Sequence, residues 1–319
     1  MAELRSRTLG HTGVSVTELG VGGYIGALTD DSASDTQRQD AAIAAVQRAI
    51  DLGVRYFDTS PAYGTAERYL GAALSTLAPE VRSLLTVSTK VGTHPERRNT
   101  YGVDDVRWCF ENSRQMLGRI DIVFVHDPTC DAHMDTILAS GGAFEALEQL
   151  QSQGEIHGFG LGNRSHRYQR RVIDSGRASV ILPSYDYHPI RQSLAPLLDI
   201  AGSADVAVVN GSPYQAGLLA GIDLDEAARR RSPDDADLLR ARAIVAWCDQ
   251  RDIDVGALAV QFSLRDERIA TTLVGPRTVD EVESGVRHAT EKLPDDVWSE
   301  LADLLADLQP PAAPGGEIQ

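Results

Sequence analysis

The sequence has 319 residues, of which 42% are hydrophobic and 24% charged, and it carries a formal net charge of −16. This composition is typical of an ordinary soluble globular protein, and its negative charge argues against nucleic acid or an anionic membrane as a partner. The three cysteines are scattered without a C-x-x-C, so neither a disulfide framework nor a zinc site is predicted.

The chain is predicted to form a single domain over residues 1–319 and to work in the cytoplasm. No apolar run is long enough to cross a bilayer, the first residues carry no apolar signal segment, and no low-complexity linker divides the sequence. The tail at 308–319 is rich in proline and glycine, so we expect it to be loosely ordered.

The first predicted element is an N-terminal β-hairpin. The stretch "RTLGHTGVSVT" at 7–17 has turn residues between short β-prone pieces, and such a hairpin would suit the bottom of a barrel. Eight strands are then predicted along the chain, at 16–22, 54–58, 84–89, 121–126, 157–161, 180–184, 206–210 and 271–274. Near-continuous apolar runs such as "DIVFVH" and "DVAVVN" are typical of parallel strands that are covered on both faces.

Amphipathic stretches separate these strands. In the first, Ile43, Val46 and Ile50 recur at helical spacing before Gly53, a helix-ending residue. Further helices are predicted at 65–77, 104–118, 140–153, 165–175, 192–202, 236–265 and 279–290. Strands that each precede a helix predict a (β/α)8 TIM barrel. An open doubly wound sheet is the alternative, but "GLGNRS" and "GVGGYIG" both lack the G-x-G-x-x-G spacing of its nucleotide site.

Four polar residues fall at the ends of three consecutive predicted strands. Asp58 ends the second strand and Tyr63 lies in the loop after it, while Lys90 follows the third strand and His126 ends the fourth. In such a barrel these residues share the carboxyl-terminal rim, where the chemistry of the fold takes place.

The chemistry of these four residues is mutually consistent. A buried Lys90 needs a carboxylate partner, which Asp58 supplies. The lysine charge should lower the pKa of Tyr63, which would exchange a proton with a carbonyl or hydroxyl oxygen that His126 orients. No metal-ligand set is clustered with them, so the group suits proton transfer coupled to hydride transfer by a bound cofactor.

The motifs around these residues resemble those of the aldo-keto reductases. The resemblance rests on "FDTSPAYGTAERYLG", "VSTKVG", "FVHDP", "GLGN", "SPYQAGLLAG" and "LVGPRTVDEVESGV", in that order along the chain. It implies that Tyr63 is the general acid/base, supported by Asp58, Lys90 and His126. It implies substrate contacts from Tyr24, Tyr63 and His126. It further implies cofactor contacts from Gly22, Asp58, Asn163, Ser184, Asn210, Gly211, Ser212, Pro213, Gln215, Gly217, Leu218, Gly275, Arg277 and Glu281.

Within that family, "VNGSPYQAGLL" is most similar to dehydrogenases of aldoses such as L-fucose, D-arabinose or L-galactose. The resemblance therefore implies an NAD(P)-dependent oxidation of a sugar at C1 to a lactone. Broad-specificity reduction of an aldehyde or ketone remains an alternative, as does a non-enzymatic, nucleotide-binding regulatory subunit. A metal-dependent hydrolase using Asp58, His126 and His188 would need a second histidine pair on the early strands.

Departures from the family pattern bear on the cofactor. Ser184 stands where many members have a glutamine, so Asn163 is expected to hold the carboxamide alone, and Gly211 replaces a tyrosine that stacks on the nicotinamide. Gly275 and Glu281 occupy the positions of a lysine and an arginine in the reductase pattern. A carboxylate near a 2′-phosphate would repel it, so NAD is predicted over NADP, although Arg277 in the same turn favours NADP.

Overall fold

In the computed structural model, residues 3–23, 25, 33–230 and 235–308 are described. The strands of this part of the chain are β1 (Ser6–Thr8), β2 (Ser15–Thr17), β3 (Leu19–Val21), β4 (Tyr56–Asp58), β5 (Thr86–Val91), β6 (Thr93–His94), β7 (Arg97–Arg98), β8 (Ile122–His126), β9 (Gly158–Gly162), β10 (Val180–Leu182), β11 (Ala207–Gly211) and β12 (Ile269–Val274). Eight of them form a closed parallel barrel in the order β3-β4-β5-β8-β9-β10-β11-β12. The predicted TIM barrel is therefore confirmed.

The barrel closes between its first and last strands. β12 pairs with β3 in parallel, with Leu273 opposite Gly20 and Val274 opposite Val21. The β9–β10 pair depends on a glycine, because a Cβ on Gly160 would lie 1.6 Å from the carbonyl oxygen of Val180. Any larger residue there would push β10 away from β9.

The N-terminal hairpin covers the bottom of the barrel, as the sequence predicts. β1 and β2 pair antiparallel, with Ser6 opposite Thr17. Leu9 and Val16 are buried in the inner core cluster, against side chains that the barrel strands point inward, such as Ile122 and Val180. The hairpin therefore shuts the end of the barrel opposite the strand termini that carry polar residues.

Helices surround the barrel, and their apolar faces cover the outward side chains of the strands. In the described residues they are α1 (Asp35–Asp51), α2 (Ala66–Ser75), α3 (Pro79–Ser83), α4 (Val103–Leu117), α5 (Asp131–Leu138), α6 (Ala143–Ser152), α7 (His166–Asp174), α8 (Ala195–Ser203), α9 (Leu224–Arg230), α10 (Ala236–Asp249), α11 (Val255–Leu264), α12 (Val279–Thr290) and α13 (Val297–Asp307). None of them is both long and apolar enough to span a membrane.

Two features of the helices differ from the prediction. The single helix expected over 236–265 is two helices, because Asp252 has a φ of 54° and Asp254 caps α11 through its side chain. The sequence does not predict the short helices α3, α5 and α9, the C-terminal helix α13 or the β6–β7 hairpin. The predicted loose tail lies almost wholly outside the described residues, which end at 308.

Candidate active site

Three neighbouring strands bring the polar residues of the rim together. Asp58 is the last residue of β4 and His126 the last of β8, while Lys90 lies within β5 rather than after it. β5 pairs with both of the other strands. The three side chains therefore project at the same end of the barrel, and Tyr63 joins them from the turn that follows β4.

Lys90 and Asp58 form a buried ion pair. The lysine Nζ donates to Asp58 Oδ2 at 2.6 Å and to the carbonyl of Thr59 at 2.8 Å, with side chains only 2% and 4% exposed. The other carboxylate oxygen accepts a hydrogen bond from Ser88 at 2.7 Å. Burial alone would lower the pKa of Lys90, but Asp58 raises it above its usual value. The ammonium is therefore charged at neutral pH and fully compensated.

Tyr63 contacts both Lys90 and His126. The ammonium lies 4.8 Å from the centre of the phenol ring. The His126 ring meets the phenol edge-on, with centroids 5.7 Å apart. Burial raises the pKa of Tyr63 above its usual 10 and outweighs the opposing effect of Lys90. The predicted lowering is thus wrong in direction, and at neutral pH Tyr63 is a phenol that can donate a proton.

His126 is a neutral imidazole. Its Nδ1 lies 2.7 Å from the hydroxyl of Thr93 and 3.3 Å from that of Ser60, and its Nε2 is 3.4 Å from Asp127 Oδ2. Burial, followed by the charge of Lys90, lowers the pKa of His126 to about 3. Thr93 and Ser60 were not identified from the sequence. Their only signal there is a hydroxyl close to a motif residue.

One long cleft starts at these residues and crosses the ends of the later strands. Its volume is about 990 Å³. Of the residues predicted to bind cofactor or substrate, those that line it are Gly22, Asp58, Tyr63, His126, Asn163, Ser184, Gly211, Ser212, Pro213, Gly217, Gly275, Arg277 and Glu281. Tyr24 lies outside the described residues.

Three predicted cofactor residues do not line the cleft. The Asn210 amide donates to the carbonyl of Tyr187 inside the barrel wall. The Gln215 amide donates to Asp237 at 2.6 Å, and Leu218 is 1% exposed in an apolar cluster. Ser212, Gln215 and Ala216 have φ values of 62°, 47° and 52°, so the backbone of the loop after β11 turns back on itself. These turns direct the side chains of Gln215 and Leu218 into the protein interior instead of the cleft.

Glycines form the cleft wall on both sides of β12, where Gly211 ends β11 and Gly22 follows β3. A Cβ on Gly211 would lie 3.0 Å from the Ser184 Cβ, and one on Gly22 would lie 3.4 Å from the Asp58 Cβ. Beside this wall, the Asn163 amide is held between the carbonyl of Pro128 at 3.2 Å and the N–H of Ser165 at 2.6 Å. A narrow, glycine-walled slot beside fixed polar groups fits a flat ring with an amide substituent.

At the far end of the cleft, Arg277 and Glu281 form a close pair. Glu281 accepts hydrogen bonds from the Arg277 backbone N–H at 2.6 Å and from its guanidinium at 2.6 and 3.3 Å. Burial would raise the pKa of Glu281, but the hydrogen bonds from Arg277 lower it below its usual value. Glu281 therefore stays ionised in the first turn of α12, where the helix dipole also favours a negative charge.

Two tyrosines and a histidine after β10 differ in their relation to the cleft. Tyr185 lines the cleft. Tyr187 does not line the cleft and hydrogen-bonds Asp266. His188 is fully buried and also does not line the cleft. The hydrolase that would use His188 beside Asp58 and His126 is therefore not supported.

Comparison with known proteins agrees with this geometry. The model of the aldo/keto reductase family matches residues 18–306. The chain is 32% identical to the L-galactose dehydrogenase of Arabidopsis thaliana, over 91% of this chain and 90% of that protein. It is 30% identical to the D-threo-aldose 1-dehydrogenase of a Pseudomonas species, over 91% and 94%, and 29% identical to the pyridoxal 4-dehydrogenase of Microbacterium luteolum, over 92% and 96%.

The solved structure of an aldo-keto reductase from Bacillus halodurans is similar in fold, with a TM-score of 0.72 at 20% identity over 99% of both chains. The match of the family model over nearly the whole barrel, together with these relatives, identifies the chain as a member of the aldo/keto reductase family of oxidoreductases.

Proposed function

We propose that the protein is an NAD(P)-dependent aldose dehydrogenase that oxidises the anomeric hydroxyl of a sugar to a lactone. The observation that carries this proposal is the Lys90 ammonium, which lies 2.6 Å from the Asp58 carboxylate and 4.8 Å from the centre of the Tyr63 ring. This group provides a proton donor and acceptor at one end of a cleft of about 990 Å³ that extends to Arg277 and Glu281.

The proposed roles follow from the state of each group. Tyr63 takes the proton of the anomeric hydroxyl during oxidation and returns it to a carbonyl oxygen during reduction. His126, neutral at working pH, donates a hydrogen bond from Nε2 to the same oxygen. Lys90 stabilises the phenolate that forms when Tyr63 loses its proton, and Asp58 keeps Lys90 charged.

The nicotinamide of the cofactor would supply the hydride acceptor or donor of the reaction. Asn163 would hold its carboxamide beside Ser184, and the backbone at Gly211 and Gly275 would let the dinucleotide lie close to the strand ends. Ser212, Pro213 and Gly217 would follow the phosphates.

The ion pair at α12 supports NAD as the preferred cofactor. Arg277, the cation best placed for a 2′-phosphate, already has a bidentate partner in Glu281. A 2′-phosphate would have to displace an ionised carboxylate, whereas Glu281 can accept hydrogen bonds from the free ribose hydroxyls of NAD.

The names of the relatives support the direction and the substrate class. Three relatives at 29–32% identity are called dehydrogenases, and two of them are named for aldoses. Reduction of small aldehydes is the second candidate. It is favoured by the protonated state of Tyr63 at neutral pH and by a glyoxal reductase of Bacillus subtilis that is 23% identical.

A panel of aldoses and small aldehydes tests the proposal. Turnover is followed by nicotinamide absorbance in both directions, with NAD and NADP side by side. Oxidation of at least one aldose with NAD is the expected result. Turnover of aldehydes alone would replace the proposal with the reductase, and nucleotide binding without turnover of any compound would indicate a regulatory subunit.

A further inference from the structure

We propose that Asp127 binds the hydroxyl group on the carbon next to the reacting carbon, so that the site selects α-hydroxy carbonyl compounds and their cyclic hemiacetals over simple aldehydes. This inference rests on the proposed function, since it needs a carbonyl or hemiacetal carbon to react beside Tyr63 and His126.

The position of Asp127 beside the reactive end of His126 is the first argument. Thr93 and Ser60 hold the Nδ1 of the ring, so Nε2 is the nitrogen left to face the substrate. The Asp127 Oδ2 lies 3.4 Å from Nε2. These two atoms are close enough for Nε2 to bind the reacting oxygen while the carboxylate accepts a hydrogen bond from a hydroxyl on the neighbouring carbon.

The backbone at Asp127 is held in an uncommon conformation. Its φ is 43°, and its N–H donates to the carbonyl of Gly162 on β9 at 3.0 Å. A residue other than glycine occupies this region at a cost and stays there only when its surroundings fix it. The chain thus holds a carboxylate at the mouth of the cleft, directly after the strand that ends in His126.

Arg164 and Tyr185 complete the polar mouth of the cleft, and both line it with Asp127. The guanidinium of Arg164 lies 4.7 Å from the centre of the Tyr185 ring, and Tyr185 also has a positive φ, of 68°. Burial raises the pKa of Asp127, while the charges of Lys90 and then Arg164 oppose that rise. Two nearby cations thus favour the charged form of the carboxylate, and an ionised carboxylate accepts hydrogen bonds from an uncharged substrate rich in hydroxyl groups.

The energetic consequence is a penalty for substrates that lack this hydroxyl. In the free protein, water reaches the half-exposed Asp127 carboxylate. A bound substrate displaces this water, and only one with a vicinal hydroxyl restores the hydrogen bond. A hydrogen bond to a charged group corresponds to about ten- to a hundredfold in kcat/KM.

The test compares paired substrates that differ by one hydroxyl. The pairs are glycolaldehyde and acetaldehyde in reduction, and an oxidised aldose and its 2-deoxy analogue in oxidation. The proteins are wild type, Asp127→Ala, Asp127→Asn and the control Asp131→Ala, which removes an exposed carboxylate paired with Arg167. Wild type and the control should prefer the hydroxylated member about tenfold or more. Asp127→Ala should lose that preference by slowing the hydroxylated member alone, and Asp127→Asn should keep part of it.

An equal loss on both members of a pair would overturn the inference, because Asp127 would then act only through His126. The same holds if wild type shows no preference. Preference for glycolaldehyde that depends on Asp127, without oxidation of any aldose, would support this inference while rejecting the aldose dehydrogenase. Oxidation of an aldose and its 2-deoxy analogue at equal rates would do the reverse.

Discussion

Thr93 fixes the inner nitrogen of His126, with its Oγ1 2.7 Å from Nδ1. Because the ring is neutral, Nδ1 can accept the threonine proton, and the ring proton then resides on Nε2. The Asp127 carboxylate 3.4 Å from Nε2 agrees with this tautomer, since an ionised carboxylate can only accept. Thr93 is thus a positioning residue that aims the Nε2–H of His126 into the cleft.

Replacing Thr93 by valine keeps the shape and removes the hydroxyl. We expect Thr93→Val to lower kcat about three- to tenfold, the effect of one neutral hydrogen bond, and Thr93→Ser to restore most of it. The measurement is steady-state kcat and KM at several pH values. A purely structural role would be indicated if the serine variant were as slow as the valine variant.

Tyr63→Phe removes the proposed proton donor and acceptor. Turnover should fall by about 10²- to 10⁴-fold, while nucleotide binding, followed by fluorescence quenching, stays within a few-fold. Tyr185→Phe is the matched control, since Tyr185 lines the same cleft and has no proton to transfer in the proposed mechanism. Near-normal activity of Tyr63→Phe would rule out this assignment.

The charge of Lys90 should be visible in the pH dependence. Oxidation needs the Tyr63 phenolate, so its rate rises with pH towards the pKa of Tyr63, which burial raises and Lys90 restrains. The double variant Asp58→Asn/Lys90→Met removes the ammonium without leaving a lone buried carboxylate. In this variant the rise in oxidation rate should occur at a pH about one unit or more higher. If the rate rose at the same pH in the variant and in wild type, a group other than Tyr63 would control the pH dependence.

Glu281→Gln should shift the cofactor preference towards NADP. The change releases Arg277 from its carboxylate partner and removes the charge that repels a 2′-phosphate. The ratio of kcat/KM for NADP to that for NAD is expected to rise about tenfold, and more in Glu281→Arg. Adding Arg277→Ala to Glu281→Gln should cancel the gain. A clear NADP preference in the unmodified protein would contradict the proposal from the start.

Two buried histidines should make the protein sensitive to mild acid. Burial is the main reason why the pKa of His126 is lowered to about 3 and that of His188 to about 4. In the unfolded chain both take up protons below about pH 6.5, whereas in the folded state they do so only near their lowered pKa values. Their stabilising effect is complete above pH 6.5 and is lost as the pH falls towards 4, by about 1.4 kcal/mol per pH unit for each ring.

Denaturant unfolding at pH 6.5, 5.5 and 4.5 measures this loss. In His126→Gln the free energy of unfolding should fall less steeply with decreasing pH than in wild type. The difference in slope should be about 1.4 kcal/mol per pH unit, the contribution of one histidine. Lines of equal slope for the two proteins would show that the ring of His126 titrates normally in the folded state.

The barrel and its reactive rim were predictable because the strand ends are marked in the sequence. Apolar runs that end in Asp58 and His126 fix both the strand and the end at which the side chain projects, whatever happens in the loops. Lys90 was expected just after its strand and lies inside it, which changes its element and leaves its place at the rim unaltered.

Other parts of the site depend on conformations that carry no periodic signal. The motif around Gln215 indicated the correct loop, but three residues with positive φ turn some of its side chains into the core. Thr93 lies in a short hairpin without an apolar pattern. The pKa of Tyr63 is set by competition between burial and charge, and the sequence revealed only the charge.

The hairpin at the bottom of the barrel has a consequence for how the chain is made. Arg7 hydrogen-bonds the carbonyls of Leu264 and Asp266, and β3 pairs with β12 as its second neighbour. The hairpin and β3 therefore depend on a segment that is synthesised much later. Until β12 has been made and the barrel has closed, apolar residues such as Leu9 and Val16 lack stable packing partners. Nascent chains stalled before β12 should therefore be the species most exposed to chaperones and to misassembly between copies.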